Sequence, residues 1–286
     1  MFKVGGGVMT VLVNAIVMVG MFLVVPAGLR LAGLAELDRI RRFWPLFAAP
    51  GALALWLPRG TTATALALCY ALGTALLALH APRRALRGRD LSPAGIALLT
   101  ALVTPAVAAL ALVAERWGHE LFGFELEILA LTVPHFHFAG FAAALVAGLV
   151  CRVDDGPPGR FAALSVPLGT LLVLVGYFIG DWAELAGAVA LTAGMWTVGL
   201  LTWRLGRAEG RDRTTRLLLF TSAAVLVATM LLALSWAVGE ATGLPHPSLT
   251  WMAATHGLGN ALGFALCSLL AWHRIRTLHP SEGRTS

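Results

Sequence analysis

Residues 131–150 read LTVPHFHFAGFAAALVAGLV. The run is apolar and long enough to cross a hydrocarbon core, which takes about 20 helical residues. It nevertheless carries two imidazoles, His135 and His137, one residue apart. Ionisable side chains within lipid are costly and face a bundle interior or a water-filled cavity. The stretch therefore predicts a membrane span and, inside it, a polar layer lined by protein.

The rest of the chain has the same character. Of its 286 residues 58% are hydrophobic and 13% charged, and the mean hydropathy is +0.80. A soluble core of this size does not bury repeated apolar runs of such length. Nine candidate spans follow one another, at 8–25, 43–57, 61–80, 93–114, 129–151, 161–179, 182–203, 215–238 and 249–272. The predicted fold is all-α, a polytopic transmembrane helical bundle. It forms a single domain over 1–278, followed by a polar tail, HPSEGRTS, at 279–286. The second span is short and holds Pro45 and Pro50, so it is expected to be kinked or re-entrant. The first segment is expected to be retained: Lys3 is its only basic flank, and no small-x-small cleavage site follows. Cys69, Cys151 and Cys267 lie in or beside apolar runs without a CxxC, as small buried residues do.

Charge placement sets the expected orientation. Of 21 Lys and Arg residues, 18 fall in alternate connections, from Arg30 through Arg83, Arg152 and Arg204 to Arg284; Lys3, Arg59 and Arg116 fall on the other side. Basic residues near span ends stay cytoplasmic. The sequence thus predicts a multi-pass protein of the cytoplasmic (inner) membrane, N-terminus outside and C-terminus inside. Its basic charge reflects topology and contact with membrane lipids, not nucleic acid.

Depth follows from about 1.5 Å per helical residue. In the outer half, His135 and His137 come level with His256 and Asn260 of WMAATHGLGNALGFAL, near Asp181 and Glu184 of GYFIGDWAELAG. Asn14, Tyr177, Trp182, Trp236, Trp251 and Phe138 share that layer as candidate substrate-binding residues. His256 and Asn260, at i,i+4, share a helix face, as do Asp181 and Glu184 at i,i+3. His135 and His137 lie about 200° apart on a regular helix, so one ion binds both only if the backbone is irregular; Pro134 permits that. Each residue also has a plainer role. A lone intramembrane His serves as an interhelical hydrogen bond, a carboxylate as a helix start, a Trp as interfacial belt.

The segments VPHFHFAGFAAALVAG and THGLGNALGF resemble the bacterial YndJ-like integral membrane family. Its hallmarks are an HFH-[FY]-AGF span and a later HG-x-x-NA-x-GF span. The matching positions are His135, His137, Ala139, Gly140 and Phe141, then His256, Gly257, Asn260, Ala261, Gly263 and Phe264. The resemblance implies a polytopic architecture and a site built on these His and Asn residues. It implies no reaction.

The residues themselves suit acid–base chemistry on a lipophilic, isoprenoid-like small molecule: isomerisation, cyclisation or epoxide opening. In that scheme Asp181 or Glu184 is the acid, His135, His137 or His256 the base, and Asn260 an orienting group. A proton-coupled secondary transporter uses the same groups, although no inverted repeat is visible. A noncatalytic lipid or partner-protein module is a further alternative. No cofactor is expected, since P-loop, dinucleotide and haem-attachment patterns are missing. A metal on His135, His137 or His256 stays open, without an H-E-x-x-H to support it.

Overall fold

A computed structural model describes residues 4–86 and 91–278. The polar tail 279–286 lies outside the described residues, as do Lys3, Arg87 and Arg89. Among the described residues there are no strands. Among the described residues eight helices are long and apolar enough to cross a membrane: α1 (Gly7–Ala32), α3 (Thr61–Leu86), α4 (Pro93–Trp117), α5 (Leu126–Val153), α6 (Pro157–Ile179), α7 (Asp181–Arg207), α8 (Arg213–Thr242) and α9 (Leu249–Leu278). A further helix of 17 residues, α2 (Asp38–Ala54), contains Pro45 and Pro50. The protein is an all-α membrane-spanning bundle.

The chain divides into two compact units. The first comprises Met1–Asp90 and Leu99–Ala142, the second Leu91–Leu98 and Ala143–Ser286.

In the first unit, α2 is held at both ends. Glu36, just before it, pairs with Arg84 at the end of α3. At the other end, Arg116 of α4 donates to the carbonyls of Ala54 (3.3 Å), Leu55 (3.5 Å) and Leu57 (3.1 Å). Asn14 of α1 adds a bond to the Leu55 carbonyl at 2.9 Å. Helix C-termini leave carbonyls unsatisfied, and a cation there also meets the negative end of the helix dipole. The Gly60 N–H, at the start of α3, bonds the Arg116 carbonyl at 2.9 Å. Thus α2 joins the end of the unit that holds Arg84 to the end that holds Arg116. It runs beside α3 as a continuous helix through both prolines.

In the second unit, α6 and α7 approach until backbones touch. A methyl group added at Gly169 would lie 2.5 Å from the Leu191 backbone, at Gly176 2.5 Å from that of Glu184, and at Gly187 2.5 Å from that of Val173. A methyl group at Gly194 would lie 2.5 Å from the Ser165 hydroxyl oxygen. Within a membrane, helix association depends on close packing, so small residues gather at the contact. The opposite face of α6 carries the exposed Leu164, Leu168, Leu171 and Val175. Helix α9 packs on α8 through Gly259 and Gly263, whose added methyls would meet Thr229 and Val225. The Ser222 and Ser268 hydroxyls join the same two helices at 2.6 Å.

Among the described residues, four stretches take the wide π-helical form. They are Gly20–Val24, Phe136–Ala142, Ala253–Gly257 and Gly259–Leu266. Such wide turns are rare and often mark functional sites. Three of the four cover the HFHFAGF and THGLGNALGF segments.

Candidate functional site: two anchored histidines

His137 sits in the first unit and is wholly enclosed, with 0% exposure. Its Nδ1 lies 2.7 Å from the Val133 carbonyl. A carbonyl only accepts, so in the neutral ring Nδ1 carries the proton and Nε2 is the acceptor. The Tyr70 hydroxyl donates to Nε2 across 2.5 Å. The two rings stack at 5.9 Å. The Trp44 ring meets Tyr70 edge-on at 5.8 Å, and its indole N–H donates to the Met21 carbonyl at 2.7 Å. Met21 lies in the first π-helical stretch, and a methyl at neighbouring Gly20 would lie 2.8 Å from His137 Cγ. His137 is thereby clamped by α1, α3 and its own helix. His135 is half-buried and meets Phe136 edge-on at 5.4 Å, and Phe138 is buried.

His256, in the second unit, has the same wiring. Its Nδ1 lies 2.8 Å from the Thr229 carbonyl, so Nδ1 again donates. Its Nε2 faces the Asn260 amide nitrogen at 3.2 Å. That amide also donates to the His256 carbonyl at 3.0 Å, which fixes its orientation, and the amide oxygen accepts from Thr229 Oγ1 at 3.1 Å. The Thr229 hydroxyl lies 2.9 Å from the Val225 carbonyl as well. With one proton, it serves one acceptor at a time. Unlike His137, His256 is only half-buried.

Also in the second unit, α7 begins at Asp181 after Gly180, whose φ of 134° turns the chain sharply out of α6. Asp181 is exposed and Glu184 half-buried. Glu184 is close enough to Asp181 and to Glu240 of α8 for the charges to repel. Glu240 pairs with His246 Nε2 at 3.0 Å, and the Trp236 ring meets His246 edge-on at 4.9 Å. Tyr177, Trp182 and Trp251 are exposed, at 44%, 67% and 63%, while Trp236 is half-buried. Asn14, in the first unit, is buried and bonded to Leu55. Among the described residues no group of three or more His, Cys, Asp or Glu side chains is placed to hold a metal ion.

The sequence matches the YndJ-like protein family over residues 15–264, a stretch that contains both histidine segments. The chain belongs to the YndJ-like family. No curated protein and no solved structure matches it. In this YndJ-like chain the functional groups that sequence reasoning passed over are the partners: Tyr70, Trp44 and Thr229. Tyr70 had a signal, being one of two tyrosines in the chain and set in an apolar span. A phenol there needs a hydrogen-bond partner. Glu115 is a further buried polar group, inside α4 with 2% exposure and bonded to Arg59 at 2.9 Å and to Arg116 at 2.5 Å.

Proposed function

We propose that the protein is an inner-membrane enzyme that performs acid–base chemistry on a lipophilic small molecule, with His256 as its base. One observation carries the reading: the Thr229 carbonyl fixes the proton on Nδ1, which leaves Nε2 as the basic atom of a half-buried ring. Such an anchor sets tautomer and ring orientation in working histidines. Asn260 occupies Nε2 at rest and is the orienting group that yields it to substrate. Glu184, crowded by two other carboxylates, is the acid; Asp181 is its partner. The isomerisation, cyclisation or epoxide-opening class fits a site made of one acid and one base without a cofactor. In this reading His137 touches no substrate and positions its helix, because its ring is wholly enclosed, with 0% exposure, and its Nε2 is held by the buried Tyr70 hydroxyl. The N-terminus lies outside and the C-terminus in the cytoplasm, as the basic residues require.

The test compares His256→Gln and Glu184→Gln in turnover of membrane isoprenoid lipids, followed by mass spectrometry. Gln keeps size and hydrogen bonding and loses acid–base function. Loss of product with unchanged expression and thermal stability supports the reading. Product formed at the wild-type rate by both variants overturns it.

Proton-coupled transport is the second reading, favoured by the π-helical breaks in α1, α5 and α9. Transporter sites also gather where helices are interrupted. It predicts pH-driven uptake into proteoliposomes with the substrate chemically unchanged.

A further inference from the structure

Around His256 one hydrogen bond differs from the rest. Nδ1 is held by the Thr229 carbonyl at 2.8 Å, and the Asn260 amide by the His256 carbonyl at 3.0 Å and the Thr229 hydroxyl at 3.1 Å. The bond from the Asn260 amide nitrogen to Nε2, at 3.2 Å, is the longest of the four and ties neither side chain to the backbone. The Thr229 hydroxyl has a second acceptor, the Val225 carbonyl at 2.9 Å, so it keeps a bond when the Asn260 amide shifts. Both residues stand in π-helical turns, a form that recurs at functional sites. Met252, His256 and Gly259, about one turn apart along α9, are each half-buried. The seam between α8 and α9 is therefore partly open to the bilayer at this level.

Charge restricts what can bind there. On α8 no Asp, Glu, Lys or Arg stands between Arg216 and Glu240, and on α9 none stands between Leu249 and His273. His256 lies about 10 Å along α9 from Leu249. An ionised group at that depth has no counter-charge on either helix and is costly in lipid. The ligand group must therefore be neutral, donate to Nε2 and accept from the amide N–H. Because the two nitrogens face each other, one inserted atom has to do both, and a hydroxyl oxygen does. An ether or ketone only accepts, and leaves Nε2 bare. We propose that His256 and Asn260 bind the hydroxyl group of an uncharged lipophilic alcohol entering from the bilayer between α8 and α9, which rests on the reading of Nε2 as the atom that meets substrate.

The test uses the full chain in phosphatidylcholine nanodiscs, with binding of tritiated farnesol read by scintillation proximity. Wild-type protein should bind farnesol saturably. Farnesyl methyl ether has the same chain and only accepts. It should compete about tenfold more weakly, the effect of one lost hydrogen bond that leaves a buried acceptor unpaired. Farnesylamine and farnesoic acid, ionised at neutral pH, should compete more weakly than farnesol. Asn260→Leu should erase the difference between alcohol and ether. Thr229→Val keeps the carbonyl that holds His256 and loses the hydroxyl that steadies Asn260, so it should narrow that difference. Equal competition by alcohol and ether in the wild-type protein overturns the proposal, as does tighter binding of the amine or the acid. An undiminished preference for the alcohol in Asn260→Leu, or in Thr229→Val where Asn260→Leu fails to fold, overturns the assignment to this pair. Selective binding of farnesol, combined with wild-type product formation by His256→Gln and Glu184→Gln, supports the hydroxyl site and overturns the acid–base reading, so the two fail separately.

Discussion

The Tyr70 hydroxyl donates to His137 Nε2 across 2.5 Å, inside a span that buries both side chains completely. The bond ties α3 to α5 where neither partner can turn to water. Tyr70→Phe removes the donor and leaves Nε2 unsatisfied. The expected cost is about 1–2 kcal/mol, the upper range for interhelical bonds in membranes. Thermal unfolding in detergent measures it. A double-mutant cycle with His137→Leu should show the two losses to be strongly non-additive.

At the end of α2, removing one member of the Arg59–Glu115–Arg116 group strands a buried charge. Glu115→Leu should destabilise by about 3–5 kcal/mol, the range for breaking a buried pair. Arg59 is half-exposed, so Arg59→Gln should cost well under half of that. Protein yield and melting temperature compare the two directly.

The close contact of α6 with α7 predicts a steep response to side-chain size. Gly187→Leu should separate the helices and abolish folded yield, because its Cβ meets the Val173 backbone amide. Gly60→Ala has open space around its Cβ but a φ of 147°, so its penalty is backbone strain alone. The ranking Gly187→Leu well below Gly60→Ala in folded yield is the expected result.

Asp212 caps α8 by accepting from the Thr214 and Thr215 N–H groups. The Thr215 hydrogen bonds first, and Arg274 after them, hold its carboxyl well below the usual carboxylate range. A lowered folded-state pKa gives stability that is fully present above the unfolded value, about 4, and lost as pH falls towards the folded one. Melting temperature should therefore decline on acidification below about pH 4, and Asp212→Asn should flatten that decline.

Cysteine accessibility tests the orientation in a background without Cys69, Cys151 and Cys267. Labels at Leu86→Cys and Glu209→Cys should need permeabilised cells, and labels at Glu120→Cys and Leu244→Cys should not. The inverse pattern would sink the assignment of the N-terminus to the outside.

The spans were legible because twenty-residue apolar runs have few other uses. That imidazoles in these two segments would be hydrogen-bonded inside the protein was legible too, since imidazoles in lipid need partners. The partners were not. Tyr70 is 67 residues from His137 and Thr229 is 27 from His256, and no periodicity links positions on different helices. Pro134 hinted at an irregular backbone, yet α9 is π-helical between Ala253 and Leu266 without any proline. Gly169 and Gly176, with Gly187 and Gly194, repeat at seven residues. That spacing was visible, but glycine is common in this chain, so only the packing separates the contact glycines from the rest. The burial of Glu115 was not legible either: charge near a span end normally means water, and here it means Arg59 and Arg116.

Arg116, which closes the carbonyl end of α2, follows Ala54 by 62 residues. During synthesis α2 therefore emerges before the group that completes it exists. With two prolines and a charged first turn, it is the segment least able to settle in a bilayer unaided. Its final placement is expected to wait for α4, so that the order of membrane integration would depart from the order of translation. A chain truncated before residue 116 should leave α2 outside the hydrocarbon layer, although every residue of that helix is present.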